Sequence, residues 1–278
     1  MIFWLASYPK SGNTWIRSFI STYYLTNSDT FEFSYLKNIM QFPHERFFDK
    51  EIKDINLAIN SWDEAQKKIN SQKKIIFLKT HSALATINKC SFTSKEHSIA
   101  GIYIVRDPRN IITSLSNHYQ LDFNRSLDFM TNTKKYLISK KNIKNFANFT
   151  FLSSWSEHYK SWKNNTQFKI FFLKYEDLEK KPEETFKKII SFINKVINKD
   201  ENIDIKRVKK IINSISFDKL KKQEEKNGFP EAINNENKKI NFFYLGKKNK
   251  WNKILKNNQV NLLNKKFDTD LKKLHYEI

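Results

Sequence analysis

The sequence predicts an α/β fold in which a parallel β-sheet is flanked by helices on both faces, with a helical C-terminal part. Short apolar runs, each followed by a polar turn, are typical of buried strands. Amphipathic patterns of helical period fill the intervals between them, and this alternation indicates βαβ units around a parallel sheet. The 278 residues include only four glycines and five prolines, so we expect a single domain over residues 1–278.

The individual elements follow from the same patterns. Strands are expected at Ile2–Ser7, Lys74–Lys79, Gly101–Val105 and Lys169–Leu173. Helices are expected at Thr14–Leu25, Ile52–Ile69, Pro108–His118, Ser126–Ile138, Phe149–Asn164 and Pro182–Ile197. From Asp204 onward no strand is expected; the sequence predicts helices at Lys206–Ile215 and Phe217–Lys226, an irregular stretch at Gly228–Asn249 and a mostly helical end at Trp251–Tyr276. Because ligands of such sheets bind at the carboxyl ends of strands, the polar residues that follow the strands are candidate site residues.

The composition limits the class of protein. The formal net charge is +21, from 50 Lys and Arg against 29 Asp and Glu, and such a charge attracts anionic ligands. The lysines are interleaved with asparagines through most of the chain, so a compositional bias explains much of this charge equally well. The single cysteine, Cys90, excludes an internal disulfide and suits a reducing compartment. The apolar run Ile2–Ala6 is too short for a signal peptide, and no stretch reaches the length of a membrane span, so we expect a cytoplasmic protein.

The most informative segment follows the first strand, where residues 8–15 read Tyr-Pro-Lys-Ser-Gly-Asn-Thr-Trp. A helix begins directly after this turn, and its unpaired N–H groups and partial positive charge make an anion site. Further polar donors come from Lys10, Ser11, Asn13 and Thr14. The Walker phosphate loop does not fit, because its lysine follows the second of two glycines, whereas Lys10 precedes the single Gly12.

This segment resembles the 5′-phosphosulfate-binding loop of the sulfotransferase family, whose sulfuryl donor is 3′-phosphoadenosine 5′-phosphosulfate (PAPS). The resemblance implies a P-loop-like sulfotransferase fold, 3′-phosphoadenosine 5′-phosphate (PAP) as product, and no metal. It implies that Lys10 stabilises the departing bisphosphate at its bridging oxygen. It further implies that the 5′-phosphate is held by backbone N–H groups of Ser11, Gly12, Asn13 and Thr14, and that Trp15 contacts the adenine.

A second anion motif lies where the third strand ends at Val105. Arg106 stands at the junction with a helix that Asp107 caps, and Ser114 follows two helical turns later. A guanidinium group suits phosphate oxygens. The segment resembles the family's 3′-phosphate motif, which implies that Arg106 and Ser114 hold the 3′-phosphate of PAPS. The alternative is a surface arginine paired with Asp107.

A third motif is Lys79-Thr80-His81 at the end of the second strand. A single histidine is more often structural than catalytic, but this triplet resembles the Lys-Thr-His motif of cytosolic-type sulfotransferases. The resemblance implies that His81 is the general base that takes the acceptor proton, a role that suits a pKa near neutrality. Lys79 is then expected to help neutralise the sulfuryl group.

Two further segments match the family less completely. Phe171–Leu178 ends in Tyr-Glu-Asp-Leu, and the resemblance implies that Tyr175 contacts the adenine ring opposite Trp15. The family often carries an Arg-Lys-Gly segment that contacts the 3′-phosphate. Here Tyr244 and Leu245 occupy the Arg-Lys positions, and Lys247, Lys248 or Lys250 is expected to supply the charge from a shifted loop.

Other functions stay open at this point. A P-loop kinase would need the Walker lysine, which is absent; a catalytically weak anion-binding protein for nucleic acid or glycan would need only the basic surface. We expect a sulfotransferase acting on a hydroxyl or amine of a small-molecule, lipid or glycan acceptor, with no nucleic-acid partner. Loops expected to form the acceptor wall are Phe31–Asp49, Ala83–His97, Gln120–Asn148 and Gly228–Tyr244. Their aromatics Phe42, Phe47, Phe48, Phe123 and Phe229 are expected in the core rather than in the pocket.

Overall fold

The computed structural model describes residues 1–138, 145–200, 202–235 and 238–277. The central sheet consists of the strands β1 (Ile2–Ser7), β2 (Ile76–Thr80), β3 (Ser98–Val105) and β4 (Lys169–Lys174). All four are parallel and lie in the order β2-β1-β3-β4. Strand β1 is completely buried between two partners. The loops after β1, β2 and β3 therefore meet at one edge of the sheet, which confirms the predicted fold class.

Helices cover both faces of the sheet. They are α1 (Asn13–Leu25), α2 (Ile55–Asn60), α3 (Trp62–Asn70), α4 (Pro108–Tyr119), α5 (Phe123–Thr131), α6 (Trp155–Lys163), α7 (Tyr175–Lys180), α8 (Pro182–Ile197), α9 (Ile205–Ser214), α10 (Phe217–Asn227), α11 (Trp251–Ile254) and α12 (Asn257–Lys273). Short 3₁₀ turns occur at Phe33–Asn38, Glu45–Phe47 and Gly246–Lys248.

Alternation along β1 divides the core into two. Trp4 faces one side, where its ring lies 5.4 Å from that of Phe92 and where α2 to α6 and α12 contribute their apolar side chains. Phe3 faces the other side, where its ring lies 5.0 Å from that of Phe77 and where α1 and α7 to α10 pack. Successive residues of a strand point to opposite faces, so one buried strand supports both layers.

Several predicted helices are shorter than the sequence pattern indicated. The stretch Ile52–Ile69 is two helices, because Asp54 caps α2 and the chain restarts at Ser61. The stretch Ser126–Ile138 ends at Thr131, and Tyr136–Leu137 pairs with Thr150–Phe151 instead. The prediction of no strand after Asp204 is wrong, since Ile233–Asn235 pairs with Lys238–Ile240. In the first two cases a capping side chain or a strand partner further along the chain overrides the local periodicity, whereas the third is a local strand pair that the polar sequence did not indicate. Among the described residues, no helix combines the length and apolar character that a membrane crossing requires.

Candidate active site

The turn between β1 and α1 is shaped by Gly12. Its φ of 99° is left-handed, and a Cβ placed there would lie 2.5 Å from a ring carbon of Tyr175. Only glycine fits both the backbone conformation and the contact. The Asn13 side chain fastens the turn, because its Nδ2 donates to the Leu5 carbonyl at 3.0 Å and to Ser7 Oγ at 3.3 Å. The turn is therefore held open at the start of α1 and packed against Tyr175.

The start of α1 offers free backbone donors. Among the described residues, the amides of Gly12, Asn13 and Thr14 have no backbone acceptor, and no side chain caps the helix. The Ser11 amide differs from the expectation, because it already donates to the Tyr8 carbonyl at 3.3 Å within the turn. The hydroxyl of Ser11 is buried and has no partner in the part of the chain that is described. Three amides and one hydroxyl are thus available to an anion.

Arg106 lies against this turn. Its Nη1 donates to the Lys10 carbonyl at 3.0 Å, and its guanidinium lies 4.1 Å from the centre of the Tyr175 ring. Its buried Nε has no partner among the described residues. The alternative of a surface pair with Asp107 is wrong, because Asp107 binds the guanidinium of Arg109 at 2.7 Å. Arg106 is 7% exposed and keeps donor capacity toward the cavity.

The hydroxyl of Ser114 accepts a hydrogen bond from Asn249, a residue that the sequence motifs did not single out. Nδ2 of Asn249 donates to Ser114 Oγ and to the Asn110 carbonyl, both at 2.9 Å. Oδ1 of Asn249 accepts from Thr113 at 2.5 Å. Asn249 lies in a lysine-rich stretch without a pattern of its own, so no sequence signal marks it. It anchors the segment before α11 on helix α4.

The lysines expected to supply charge from this segment are all exposed. Lys247 lines the central cavity, whereas Lys248 and Lys250 are absent from the cavity wall that the described residues form. Tyr244 and Leu245, which stand where the family has Arg-Lys, line the cavity as well. Of these lysines, only Lys247 therefore contributes to the described cavity wall.

Trp15 and Tyr175 do not face each other as two parallel walls. Their ring centroids are 5.9 Å apart and their planes are inclined by 59°. Two parallel rings that enclose a third need about twice a stacking distance of 3.5 Å between them. The two aromatics therefore form one corner of the cavity, and Nε1 of Trp15 is buried there without a partner among the described residues.

Lys10 is held in a shielded position. Its Nζ lies 3.6 Å from the centre of the Phe242 ring. Burial lowers the pKa of Lys10 to about 7; the carboxylate of Glu231 opposes this shift, whereas the positive charges of Arg106 and Lys79 add to it. The ammonium form is thus only partly populated at neutral pH in the free protein, and an incoming anion would favour it.

Lys79 is paired with a carboxylate that sequence reasoning missed. Its Nζ lies 3.1 Å from Oε2 of Glu231, and Oε1 of Glu231 contacts Nη1 of Arg17. Burial would raise the pKa of Glu231, but the charges of Lys79 and Arg17 hold it well below its usual range. Glu231 is therefore ionised at any ordinary pH, and it neutralises part of the positive charge in the cavity.

His81 has a defined tautomer. Its Nδ1 lies 2.7 Å from the Ser7 carbonyl oxygen, which only accepts, so Nδ1 carries the proton and Nε2 keeps its lone pair. Burial, with the charge of Lys79, lowers the pKa of His81 to about 3. The main-chain carbonyl of His81 accepts a hydrogen bond from Nε2 of His158 at 2.9 Å, which helps to fix the backbone at this residue. The ring is thus neutral at pH 7, and its pKa lies well below the near-neutral value expected of a general base. It lines the cavity, and its Nε2 has no partner among the described residues.

These groups line one cavity of about 670 Å³. Its remaining wall includes Gln41, His44, His118, Tyr119, Leu137, Ile138, Asn148, Thr150 and Phe242. The expected loops Phe31–Asp49, Gly228–Tyr244 and the described part of Gln120–Asn148 contribute to it, while residues 139–144 lie outside the described residues. The expectation for Ala83–His97 is wrong, because none of its residues lines the cavity. The prediction for the five phenylalanines is confirmed, because they pack in or against the core and none of them lines the cavity.

Sequence comparisons place the chain among known proteins. A profile of the family described as "Sulfotransferase domain" matches residues 2–275. Mouse sulfotransferase 1B1 is 25% identical over 218 residues, which are 78% of this chain and 64% of that protein. Bovine sulfotransferase 1E1 is 25% identical over 284 residues, 98% of this chain and 81% of that protein. The chain thus spans slightly less than two thirds of the first of these relatives.

Solved structures share the fold. Retinol dehydratase in complex with androsterone and the inactive cofactor PAP superposes with a TM-score of 0.59 at 15% identity, over 98% of this chain and 80% of that one. Mouse sulfotransferase SULT7A1 complexed with PAP superposes with a TM-score of 0.57 at 20% identity, over 97% and 83%. The family profile covers nearly the whole chain, and the turn after β1, the Lys-Thr-His motif and the parallel sheet agree with it. This protein therefore belongs to the sulfotransferase domain family.

Proposed function

We propose that this protein is a sulfotransferase that uses PAPS to sulfate a hydroxyl or amine group. One observation carries the proposal: Lys10, Lys79, His81 and Arg106 come from three separate strand ends and line one cavity at the start of α1. A neutral imidazole with a free nitrogen beside several cations is what removal of a proton and departure of a highly charged leaving group require. The proposal also rests on membership of the family.

The unpartnered groups of the cavity fit the donor. The free amides of Gly12, Asn13 and Thr14 would hold the 5′-phosphate, as helix N-termini do for phosphates generally. Arg106, with its free Nε, and Ser114 would hold the 3′-phosphate, assisted by Lys247. The corner formed by Trp15 and Tyr175 would contact the adenine on one side. Each buried donor that now lacks a partner would gain one, which removes a desolvation cost.

Catalysis follows from the protonation states. PAPS supplies the sulfuryl group when bound. Nε2 of His81 would take the proton from the acceptor, while the hydrogen bond from Nδ1 to Ser7 keeps the ring in that tautomer. The negative charge of the donor raises the low pKa of His81 and strengthens it as a base. Lys10, charged next to the donor, would stabilise the charge that develops on the departing group.

The acceptor side favours a small, partly apolar molecule. Tyr119, Leu137 and Ile138 supply apolar wall, and Asn148 and Thr150 add a few polar groups. Such a mixture is typical of small-molecule pockets. The structurally similar retinol dehydratase was solved with androsterone. We therefore propose a small organic alcohol, phenol or amine rather than a polymeric glycan.

The direct test is product formation. Purified protein is incubated with PAPS and a panel of phenols, sterols and primary amines, and released PAP is quantified by chromatography. Acceptor-dependent PAP release that is lost in His81→Asn supports the proposal. PAP release at the no-acceptor background for the whole panel, combined with no binding of PAP in a calorimetric titration, contradicts it.

A further inference from the structure

Among the described residues, Glu231 is the one carboxylate that forms an ion pair with a cation lining the cavity, Lys79. It lies just after α10, near the start of the covering segment, which is the part of the cavity wall formed by residues 228–235 and 238–251. Its side chain lines the cavity. Its two oxygens are divided between two cations from different elements, Lys79 at the end of β2 and Arg17 on α1. A single loop residue thus ties the covering segment to the sheet and to the phosphate-binding helix.

Both cations are removed from water. The side chains of Lys79 and Arg17 are 7% and 8% exposed, respectively, while Glu231 is 28% exposed. Arg17 also donates to the Leu36 carbonyl at 2.8 Å, so it keeps a partner when Glu231 leaves. Lys79 has no second acceptor for its Nζ among the described residues. The contact that matters most for the cavity is therefore the one between Glu231 and Lys79.

This contact conflicts with the role that Lys79 has in the proposed reaction. Lys79 lies two residues before His81 at the end of β2. In the proposed reaction Lys79 contacts the sulfuryl group of the donor, and His81 activates the acceptor that attacks this group. A carboxylate and a sulfuryl group cannot both sit against one buried ammonium without repulsion between them. PAP lacks the sulfuryl group and does not meet this repulsion.

We propose that Glu231 sets the preference of the site between sulfated donor and desulfated product. It occupies Lys79 when no sulfuryl group is present, and PAPS must displace it, whereas PAP binds with the contact intact. The inference rests on the proposed function, since it requires that the cavity bind both nucleotides. Removing the charge of Glu231 therefore improves PAPS binding more than PAP binding.

The experiment measures the dissociation constants of PAPS and PAP by calorimetry, without acceptor, for wild type, Glu231→Gln and Glu225→Gln. Glu225 is exposed on α10 and supplies the same loss of one negative charge away from the cavity. We expect Glu231→Gln to shift the ratio of the two constants toward PAPS by at least about tenfold, because a like-charge contact that is partly relieved by movement of the carboxylate still opposes PAPS. Glu225→Gln should leave the ratio within about twofold, because exposed charges are screened.

Two further variants keep the inference testable if Glu231→Gln is unstable. Glu231→Asp keeps the charge on a shorter side chain, and its ratio should lie between those of wild type and Glu231→Gln. In the background of Lys79→Gln, the effect of Glu231→Gln on the ratio should shrink, because the ammonium for which both anions compete is gone. An unchanged ratio, or equal weakening of both nucleotides in Glu231→Gln, would overturn the inference alone. Failure of both nucleotides to bind the wild type would overturn the proposed function as well.

Discussion

Two halves of the cavity are built in different ways. The half at the carboxyl edge of the sheet consists of strand ends and helix starts, where Lys10, His81 and Arg106 follow β1, β2 and β3 directly. The covering half consists of residues 228–235 and 238–251, and its described regular structure is mainly a short strand pair and a 3₁₀ turn. The first half is fixed mainly by the register of the parallel strands, and Nη1 of Arg106 adds a side-chain hydrogen bond to the Lys10 carbonyl.

The covering half is held by side chains instead. Glu231 reaches Lys79, the ring of Phe242 lies over Lys10, and Asn249 binds helix α4. Main-chain register tolerates little movement, whereas isolated side-chain contacts open at low cost. From this difference we propose that the sheet edge carries the chemistry while the covering segment adjusts affinity and access. Substitutions in the first half should therefore have large effects on rate or binding, and those in the second half smaller ones.

The largest effect is expected for His81→Asn. Loss of the free Nε2 removes the proposed proton acceptor, which should lower kcat by about 10²–10⁴-fold. His275→Asn is the matched control, because His275 is exposed and has a positive φ that asparagine tolerates. The measurement is initial rate of PAP release. If the two variants lose rate equally, His81 is not the base.

The second effect concerns Lys10 and pH. Its pKa in the free protein is lowered to about 7, so the charged form that binds the donor is lost as pH rises through 7. We expect kcat/KM for PAPS to fall above that pH, and Lys10→Arg to move this fall to higher pH because arginine stays charged. Lys10→Ala should lower kcat by about 10²–10³-fold. Lys222→Ala, on the exposed surface of α10, should retain the wild-type profile.

The third prediction compares alanine substitutions at two glycines. At one of them a side chain would meet only backbone strain, and at the other it would also clash with a neighbouring ring. Gly12 and Gly228 both have positive φ, but a Cβ at Gly12 would meet the Tyr175 ring at 2.5 Å, whereas a Cβ at Gly228 would meet nothing within 4 Å. Gly228→Ala should destabilise the protein by about 1–3 kcal/mol from backbone strain alone, because a φ of 74° with a ψ of 173° is essentially restricted to glycine, and it should leave PAP binding unchanged. Gly12→Ala should cost about 2–4 kcal/mol and also weaken PAP binding. Chemical denaturation measures the stabilities and calorimetry measures PAP binding; unchanged PAP binding in Gly12→Ala would show that the contact with Tyr175 is unimportant.

The smallest effect is expected for Asn249→Ala. Three hydrogen bonds that hold the covering segment on α4 are removed, but the segment keeps its contacts through Glu231 and Phe242. We expect PAP affinity to fall by about three- to tenfold with little change in kcat. Asn258→Ala, at the exposed start of α12, is the control. A loss of kcat as large as that of His81→Asn would remove the distinction between the two halves.

The same division decides how much could be predicted from the sequence. Strand β1 and helix α8 have the predicted bounds, because an apolar run and a strong amphipathic pattern define them locally. The positions of Lys10 and Arg106 at one sheet edge were predictable too, since the carboxyl ends of parallel strands meet there. Helix bounds near Ser61 and Thr131 were not, because caps and a distant strand partner set them.

The covering half gave no such signal. Glu231 and Asn249 act through partners more than a hundred residues away, so nothing near them in sequence marks their roles. The side chain of Lys248, which was expected to supply charge to the cavity, is exposed to solvent. The amide of Ser11, which was expected to bind the 5′-phosphate, donates to the Tyr8 carbonyl within the same turn. These details depend on how the covering segment folds back onto the sheet edge, which periodicity and composition do not encode.

The most direct test of the account is a calorimetric titration of PAP into wild type, Arg106→Ala and Arg106→Lys. The account predicts one PAP per chain in the wild type and a loss of affinity of at least about tenfold in Arg106→Ala, because a charge-assisted contact with the 3′-phosphate is removed. Arg106→Lys should recover only part of it, since an ammonium cannot replace the guanidinium fork. AMP, which lacks the 3′-phosphate, should bind all three variants equally weakly. PAP affinity that is the same in all three variants would contradict the assignment of this cavity as the donor site.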